Sequence, residues 1–521
     1  MKFAAKSLLF LIVLATLTFA QTIPHFDHIV VVFQENRTPD NIFGSGPART
    51  PCNSEDPFEP GVDIENCGPN EVTGTSTYLA SEPLSTCIDP NHAHIAFTNE
   101  LDLVMGVPKM DGACVNYKGC QPNGLQCPPY TYVQKSDVLP YFNIALNYGF
   151  ANYMFQTNEG PSFPAHQFIF SGTSGPTEYP ANYFDWFDAE NMGEKAAAGC
   201  IAPSGQTAEE INPSGTESLG YTPPGFNQGY PCYDHPTLID ILPTGFNWKY
   251  YSNSQGSIWS APTAIQHICG GIGQSSCPNF APGHKYANNV VFESHNNLTP
   301  IFNDIQNCNL AALSWVIPDV RWSDHPGTGE NNGTGPYYVA NIVNAIGEST
   351  CVDPDNGKTY WHNTAIIITW DDWGGWFDHV PPFMLGGEGN QHWGESYTYG
   401  FRVPLLFVSP YTQAGYVSGA ISGLPTYPPP LQYTHDFGSI LAFIEYNFLG
   451  ASGIGTIDPS YVFADAYAPD LNHPVGNIPL QDFLQFPYRD FTPIPIDPPY
   501  NSPSYFTSFQ GDPQSPDGPD D

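Results

Sequence analysis

Positive charge is scarce in this chain. Its 521 residues include 14 Lys and Arg against 51 Asp and Glu, which gives a formal net charge of −37 at pH 7. A protein this negative repels nucleic acid and anionic bilayers at neutral pH, so we expect no nucleic-acid partner. Few cations also mean few salt bridges for acid to break, and we hypothesise that the protein works in an acidic medium.

Apolar runs long enough to span a bilayer are also lacking, and we therefore expect no transmembrane segment. The run Leu8–Ala15 is too short for that role. It follows Lys2 and Lys6, and Thr18–Ala20 resembles the small-residue site at which a leader is cleaved. This pattern predicts a signal peptide over residues 1–20 and a secreted, extracytoplasmic mature protein.

Cysteine is missing from the last third of the chain. All 12 cysteines lie between Cys52 and Cys351. Their spacings match no zinc-binding motif and histidines do not alternate with them, so a metal cluster is the less favoured interpretation. In the oxidising compartment that a signal peptide implies, we expect disulfide bonds, whose pairing the sequence leaves open.

One strand-like segment ends in two adjacent carboxylates. Thr364–Trp370 is an apolar, β-branched run typical of a buried strand, and Asp371, Asp372 and a Gly-Gly turn follow it directly. Ligands of open α/β sheets bind just beyond the carboxyl ends of strands. Two acids placed there repel each other unless a cation or a proton offsets their charge, which suggests a metal-dependent hydrolytic site. A solvated Asp-Asp turn is the alternative.

A second strand-like segment, His28–Phe33, also ends in polar residues. Glu35 and Asn36 offer a carboxylate and an amide oxygen, ligands suited to Mg, Ca, Mn or a hard-ligated Zn or Fe. Asn and Asp near Pro39 are also ordinary turn formers. Because two strands deliver oxygen ligands at their carboxyl ends, we predict that these ligands converge on one divalent metal ion, whose identity the sequence leaves open.

Strand-like and helix-like segments alternate along the chain, which predicts an α/β fold with a mainly parallel sheet flanked by helices. Besides the two segments above, the strand-like segments are 150–156, 309–318 and 402–409. The helix-like segments are 139–149, 337–346 and 438–448.

Three stretches interrupt this alternation. Residues 45–88, 192–232 and 253–290 are rich in residues such as Gly and Pro, and we interpret them as loop-rich, disulfide-bridged insertions in one domain that covers residues 21–486. Residues 487–521 are rich in Pro and Asp and are expected to form a draped or disordered tail.

Seven short motifs occur over roughly residues 25–450. They are Glu35–Gly44, Lys109–Gly112, Gly160–Pro164, Ser323–Pro326, Trp370–Val380, Gly400–Pro404 and Ser409–Tyr411. In this order they resemble the motifs of the bacterial phosphoesterase family, which includes phosphatidylcholine-type phospholipases C and related secreted acid phosphatases. Each motif is modest alone, but the ordered set is specific.

The resemblance implies an alkaline-phosphatase-like, three-layer α/β/α sandwich with one metal-centred phosphoester site. It implies that Glu35, Asn36, Asp371 and Asp372 hold the metal ion and that Ser162 is the nucleophile. A serine hydroxyl is a poor nucleophile until a metal lowers its pKa or a base takes its proton. Attack on phosphorus would give a phosphoseryl intermediate that water later displaces.

Three histidines, His92, His325 and His379, also fall in contexts similar to those of the family. Each is predicted to donate to phosphoryl oxygens or to protonate the leaving alkoxide, and a hydrogen-bonded structural histidine is the alternative for each. The chain departs from the family pattern after the nucleophile, where Ala165 and His166 replace Asn and Arg. The missing arginine removes a phosphate or structural contact, which bears on the substrate.

The leading interpretation is a secreted metal-dependent phosphoesterase that cleaves diesters in the manner of phospholipase C. Its partner would be a phosphate-ester substrate such as a phospholipid headgroup. An acid phosphatase acting on phosphomonoesters is the first alternative. A catalytically inactive exported binding protein is the second, and the intact site residues argue against it. The oligomeric state is left open.

Overall fold

The computed structural model describes most of the chain between residues 23 and 514. The described residues are 23–44, 61–115, 117–175, 186–192, 197–212, 215–353, 356–382, 399–421, 424–425, 429–450, 453–457, 463–472 and 478–514. The predicted signal peptide and the first part of the first insertion lie outside them.

Eight strands form the central sheet. In chain order they are β1 (His28–Gln34), β2 (Gly149–Ala151), β3 (Trp248–Ser252), β4 (Val290–Phe292), β5 (Leu313–Val316), β6 (Thr364–Trp370), β7 (Leu405–Val408) and β8 (Tyr416–Ser418). Their order across the sheet is β4-β3-β5-β1-β6-β7-β2-β8. Every pair is parallel except those of β7 with β6 and with β2. The prediction of a mainly parallel sheet is confirmed.

Eleven α-helices lie among the described residues. They are α1 (Pro39–Phe43), α2 (His94–Leu101), α3 (Leu139–Asn147), α4 (Ser162–Ser171), α5 (Leu238–Ile241), α6 (Ala261–Ala264), α7 (Gln266–Cys269), α8 (Pro300–Gln306), α9 (Gly335–Gly347), α10 (Phe437–Leu449) and α11 (Pro503–Thr507). None combines the length and the apolar character that a membrane crossing needs. Helices α3, α9 and α10 lie within two residues of the ends predicted for them.

Shorter elements connect these helices and strands. The 3-10 helices are Pro122–Gly124, Gly199–Ile201, Pro278–Phe280, Val320–Trp322, Tyr360–Asn363, Leu431–Tyr433, Ile454–Thr456, Ala464–Ala466, Pro469–Asn472 and Gln481–Leu484. The short strands outside the central sheet are Cys67–Gly68, Thr77–Tyr78, Ala80–Glu82, Leu103–Val104, Val107–Pro108, Thr131–Val133, Met154–Phe155, Phe187–Asp188, Glu210–Ile211, Glu217–Ser218, Ala420–Ile421, Leu424–Pro425 and His435–Asp436.

The middle of the sheet is apolar on both faces. All seven residues of β6 are buried, and so are six of the seven in β1. A strand buried on both faces must be covered on both sides, as in sheets sandwiched between helices. Helix α4 packs on α10, and α3 packs on α9. The predicted α/β sandwich is therefore confirmed.

The register between β1 and β6 positions the chain segments that follow them. The two strands pair residue by residue, from His28 opposite Thr364 to Gln34 opposite Trp370. Because both strands are parallel and end at the same level, the polar residues after them emerge side by side at the carboxyl edge of the sheet.

Within the described ranges, five disulfide bonds can be traced. They are Cys87–Cys120, Cys114–Cys127, Cys200–Cys232, Cys269–Cys277 and Cys308–Cys351. Two of them close loops wholly within the second and third predicted insertions. The cysteines therefore form structural bridges, as predicted.

The predicted C-terminal tail packs along the domain over its described part, residues 487–514. The backbone N–H of Arg489 donates to the carbonyl of Pro410. Phe506 is fully buried and contacts the rings of Trp322 and Tyr338. The remaining residues of the tail lie outside the described part of the chain.

Candidate active site

Four predicted metal ligands meet at the carboxyl edge of the sheet. The backbone N–H of Asn36 donates to Oδ1 of Asp371 at 3.0 Å, and that of Asp372 donates to the same oxygen at 2.8 Å. Glu35 lies between β1 and Asn36, and all four side chains are fully buried. The shared end of β1 and β6 therefore brings residues more than 330 positions apart into contact.

The Gly-Gly turn after the carboxylates allows this close approach. Gly374 has φ +64°, and a Cβ there would lie 2.4 Å from the carbonyl oxygen of Asn36. Gly375 has φ +68°, and its Cβ would lie 2.4 Å from the carbonyl oxygen of Asn91. Asn36 itself has φ +58°, which is unusual for a residue with a side chain. Glycine is therefore required where the segment around His92 packs on the two strand ends.

Ser162 is the first residue of α4, and its hydroxyl faces these ligands. Its Oγ lies 3.2 Å from Oδ2 of Asp372, to which it donates, and 3.4 Å from Oδ1 of Asn36. The positive end of a helix macrodipole favours anions, so the start of α4 suits a phosphoryl group. The predicted nucleophile thus lies in hydrogen-bonding reach of two predicted metal ligands.

His166 lies one turn further along α4 and joins the same cluster. Its Nε2 is 3.2 Å from Oε1 of Glu35 and 3.7 Å from Oδ2 of Asp371. Burial lowers the pKa of His166 to about 4, so the ring is neutral at pH 7. In the sequence, His166 stands out only as a departure from the family pattern, although residues four apart on a helix lie on one face. Its spacing from Ser162 was the available signal.

The cluster has the chemistry of a cation site. One ligand atom each from Glu35, His166 and Asp371 lies within 4.8 Å of the others. Two ligands of one tetrahedral metal ion lie about 3.4 Å apart, which is close to the two His166 distances. Among the described residues, Oδ2 of Asp371 accepts no hydrogen bond. Buried carboxylates beside a neutral imidazole fit a divalent cation bound by oxygen and one nitrogen.

His92 lies beside the cluster and contacts the Asn36 side chain. Its Nδ1 donates to the carbonyl of Pro90 at 2.9 Å, which leaves Nε2 as an acceptor. The Asn36 side-chain amide donates to that Nε2 at 2.9 Å. This contact orients the amide so that its oxygen faces Ser162.

His325 comes to the site on the loop after β5. The backbone N–H of Glu35 donates to the carbonyl of Ser323 at 2.7 Å, which fixes that loop beside the strand end. Nδ1 of His325 donates to the carbonyl of Pro326 at 2.8 Å. Its Nε2 is buried and has no partner within the described part of the chain. The centroid of the Trp259 ring lies 5.7 Å from that of the His325 ring and 6.4 Å from that of the His166 ring.

His379 is held in a different cluster. Its Nδ1 lies 2.7 Å from Oδ2 of Asp40 and its Nε2 lies 3.3 Å from Oδ1 of Asp63. Burial opposes a charge on the ring, but the two carboxylates outweigh burial and raise the pKa of His379 well above its ordinary value. Both ring nitrogens are thus occupied, and the structure does not bring His379 to Ser162 within the residues it describes.

Arg402 completes this second cluster, called here the Arg402 network and consisting of Asp40, Asp63, Asp378, His379 and Arg402. Its guanidinium donates to both carboxylate oxygens of Asp378, at 2.8 Å and 3.0 Å. Both side chains are fully buried. Two of the sequence motifs therefore contain partners of one buried, bidentate ion pair.

Known proteins resemble the chain over most of its length. A model of the Phosphoesterase family matches residues 26–449. "Phospholipase C A" of Mycobacterium tuberculosis is 24% identical over 421 residues, which cover 74% of this chain and 68% of that protein.

Two further relatives match over shorter stretches. "Non-hemolytic phospholipase C" of Burkholderia pseudomallei is 32% identical over 162 residues, 28% of this chain and 20% of that protein. "Hemolytic phospholipase C" of Pseudomonas aeruginosa is 23% identical over 335 residues, 61% of this chain and 39% of that protein. The matched regions therefore cover well under two thirds of these two relatives.

Proposed function

Since the chain belongs to the Phosphoesterase family, we propose that it is a metal-dependent hydrolase of phosphate esters that cleaves diesters in the manner of phospholipase C. One observation carries the proposal: the Ser162 hydroxyl lies 3.2 Å from Asp372 and 3.4 Å from Asn36, beside further buried carboxylates. The phospholipase C names of three relatives support the choice of diesters.

Five side chains would hold one divalent cation in this proposal. They are Glu35, Asn36, His166, Asp371 and Asp372. When bound, the cation supplies Lewis acidity toward a phosphoryl oxygen and toward the attacking hydroxyl. Because His166 adds an imidazole nitrogen, the site suits Zn, Fe or Mn better than Ca or Mg, which prefer oxygen ligands.

The chain's own residues divide the remaining work. Asp372 already accepts the Ser162 hydroxyl hydrogen bond, so it can take the proton as Oγ attacks phosphorus. Asp372 can return that proton to Oγ when water displaces the phosphoryl group. His92 positions the Asn36 amide. On the side opposite Oγ, Nε2 of His325 would protonate the leaving alkoxide and would then accept a proton from the water that hydrolyses the seryl ester.

We extend the proposal to export from the cytoplasm. Disulfides form and persist in oxidising compartments, and the described residues contain five. The acidic composition and the predicted signal peptide support the same location.

Hydrolysis of p-nitrophenylphosphorylcholine and of p-nitrophenyl phosphate tests the function. We expect Ser162→Ala to lower kcat on the diester by at least about 1000-fold without loss of bound metal. Ser171→Ala is the matched control, because Ser171 is buried on the same helix and its Oγ donates to the backbone of Gln167. It should retain wild-type activity.

Acid quenching followed by mass spectrometry tests the intermediate. The diester should leave a phosphorylcholine group on Ser162, and the monoester a phosphoryl group. Hydrolysis of the monoester alone would replace the diesterase proposal with the phosphatase alternative. If neither substrate reacts from about pH 4 to pH 8 with divalent metals supplied, the enzymatic proposal fails.

A further inference from the structure

A protruding hairpin carries the most exposed large apolar side chain of the described residues. Leu103 pairs with Pro108 and Val104 pairs with Val107 in two antiparallel strands. The two residues between them are Met105, with φ +52°, and Gly106, with φ +78°. Two positive φ angles define the tight turn that suits a two-residue hairpin loop.

The hairpin places several apolar side chains in water at once. Met105 is 99% exposed, Val107 is 55%, Leu103 is 49% and Val104 is 43%. We call these four residues the apolar tip. Soluble surfaces rarely keep such groups together without a partner, and a left-handed backbone at a methionine adds a conformational cost. Exposure of these apolar side chains to water therefore lowers the stability of the folded protein.

The apolar tip lies close to the candidate active site along the chain and in space. Helix α2 runs from the segment of His92 to the hairpin, a length of about 12 Å for its eight residues. Glu100 near its end accepts a hydrogen bond from the indole N–H of Trp373 at 2.8 Å, one residue beyond the catalytic carboxylates. Ile95 on α2 is 59% exposed and lines a cavity of about 430 Å³ together with Glu100.

The size and shape of the apolar tip favour a fluid partner. A stable protein interface buries about 800 Å² on each side, which four side chains on a two-residue turn cannot supply. Single side chains at a protruding turn can instead enter the boundary between headgroups and acyl chains, where binding grows with the apolar area buried.

The charges around the apolar tip select the kind of membrane. Carboxylate oxygens of Glu71, Asp102 and Asp111 lie within 4.8 Å of one another at the base of the hairpin. Lys109 is exposed next to the hairpin and Lys118 is exposed in the lining of the cavity that contains Ile95, so carboxylates outnumber ammonium groups on this surface. A locally acidic surface on a chain of formal charge −37 is repelled by anionic lipid and tolerated by zwitterionic lipid.

We propose that the apolar tip inserts into the surface of a zwitterionic phospholipid membrane and holds the active site at that surface. The inference rests on the proposed phospholipase C-like function, because a lipid diester is presented to the enzyme as part of a membrane. A soluble phosphate ester reaches Ser162 by diffusion and needs no such contact.

Vesicle binding tests insertion without turnover. Full-length Ser162→Ala protein is sedimented with phosphatidylcholine vesicles, in EDTA so that no cation bridges the acidic residues. We expect Met105→Asp in this background to lower the partition coefficient at least about tenfold, and Met105→Leu to preserve it. Val352→Asp is the matched control, since Val352 is 51% exposed elsewhere on the surface and should change nothing. Equal binding by the Met105→Asp protein and its parent would overturn the proposal.

Lipid composition and turnover complete the test. Binding should weaken when phosphatidylglycerol replaces part of the phosphatidylcholine, and stronger binding would contradict the charge argument. With Ser162 intact, Met105→Asp should slow hydrolysis of vesicle phosphatidylcholine about tenfold and leave kcat/KM on soluble p-nitrophenylphosphorylcholine unchanged. Wild-type inactivity on the soluble diester would count against the proposed function alone, because sedimentation still reports on the apolar tip. If the wild-type enzyme hydrolyses the soluble diester but the protein does not bind vesicles, the proposed membrane insertion is rejected and the proposed function is not.

Discussion

The candidate active-site cluster, which consists of Glu35, Asn36, His166, Asp371 and Asp372, and the Arg402 network are two buried acidic groups that balance their charge differently. In the Arg402 network, the guanidinium contacts both oxygens of Asp378, and a protonated His379 contacts Asp40 and Asp63. In the active-site cluster, the histidine in contact with the carboxylates is neutral, because burial lowers the pKa of His166 to about 4. The Arg402 network therefore contains its own cations, Arg402 and His379. The carboxylates of Glu35 and Asp371 in the other cluster contact the neutral imidazole of His166.

A third buried acidic group, formed by Asp188 and Glu210, is neutralised by protonation. Asp188 and Glu210 lie opposite each other in a small antiparallel ribbon, and both are fully buried. Burial and the nearby Glu210 raise the pKa of Asp188 well above its ordinary value, and burial raises the pKa of Glu210 to about 8. Buried carboxylates thus need a cation or a proton. In the proposed function the kind of cation separates the catalytic group, which would bind a metal, from the structural group, which uses Arg402 and His379. Four measurements test that division.

The largest effect is expected from the active-site cluster. Asp371→Asn removes a ligand charge, and we expect activity to fall at least about 10,000-fold together with the bound metal. The metal-free variant should still unfold cooperatively in urea, because Asn keeps the Oδ1 acceptor for the backbone N–H groups of Asn36 and Asp372. Metal analysis, diester hydrolysis and urea unfolding provide the readouts. Retained metal with activity within tenfold of wild type would contradict the assignment of Asp371.

The matched change in the Arg402 network should reverse this pattern. Asp378→Asn leaves the buried Arg402 guanidinium without its bidentate partner, and we expect the free energy of unfolding to fall by about 3–5 kcal/mol. The folded fraction should still bind metal in the wild-type ratio. If Asp378→Asn lost metal but kept its stability, the two clusters would have to exchange roles.

Protonation of the Asp188–Glu210 pair should make the free energy of unfolding depend on pH. Between pH 4.5 and pH 8 the folded protein keeps a proton on Glu210 that the unfolded chain loses, so this pair favours folding less as pH rises. Glu210→Gln should therefore raise the free energy of unfolding at pH 7 by up to about 3 kcal/mol and leave it unchanged at pH 4. Urea unfolding at the two pH values measures the difference. Equal effects of Glu210→Gln at both pH values would show that Glu210 is not protonated in the folded protein at pH 7.

Metal removal should have the smallest effect on stability. A ligand at a hundred times its Kd stabilises the folded state by about 2.7 kcal/mol, so EDTA should lower the Tm of the metal-loaded protein by a few degrees. The Asp371→Asn protein should show no such shift, and the Asp378→Asn protein should show the full one. A shift in Asp371→Asn equal to that of wild type would place the metal elsewhere.

Much of the fold was predictable because it depends on local patterns. The apolar runs of β1 and β6, the bounds of α3 and α10 and the oxygen ligands at the strand ends follow from neighbouring residues. Strands β3, β4 and β8 were not predicted, since they are short or carry polar residues such as Lys249. The second predicted insertion contains the short strands Glu210–Ile211 and Glu217–Ser218, and the third contains helices α6 and α7.

Histidine roles could not be assigned in this way. His92, His325 and His379 all sit in contexts similar to those of the family. The first contacts Asn36, the second has a buried nitrogen with no partner among the described residues, and the third pairs with two aspartates. An imidazole's role depends on which groups face its two nitrogens, and those groups come from distant parts of the chain.

The sequence by itself determined that buried strands end in oxygen ligands and that the chain carries far more acid than base. Only the tertiary structure decided which acids face a guanidinium, which face His166 and which face each other. Hydrophobic periodicity acts over a few residues, whereas charge compensation depends on distances of a few ångströms between residues hundreds of positions apart. Strand register and helix packing set those distances, and with them the chemistry of each acidic group.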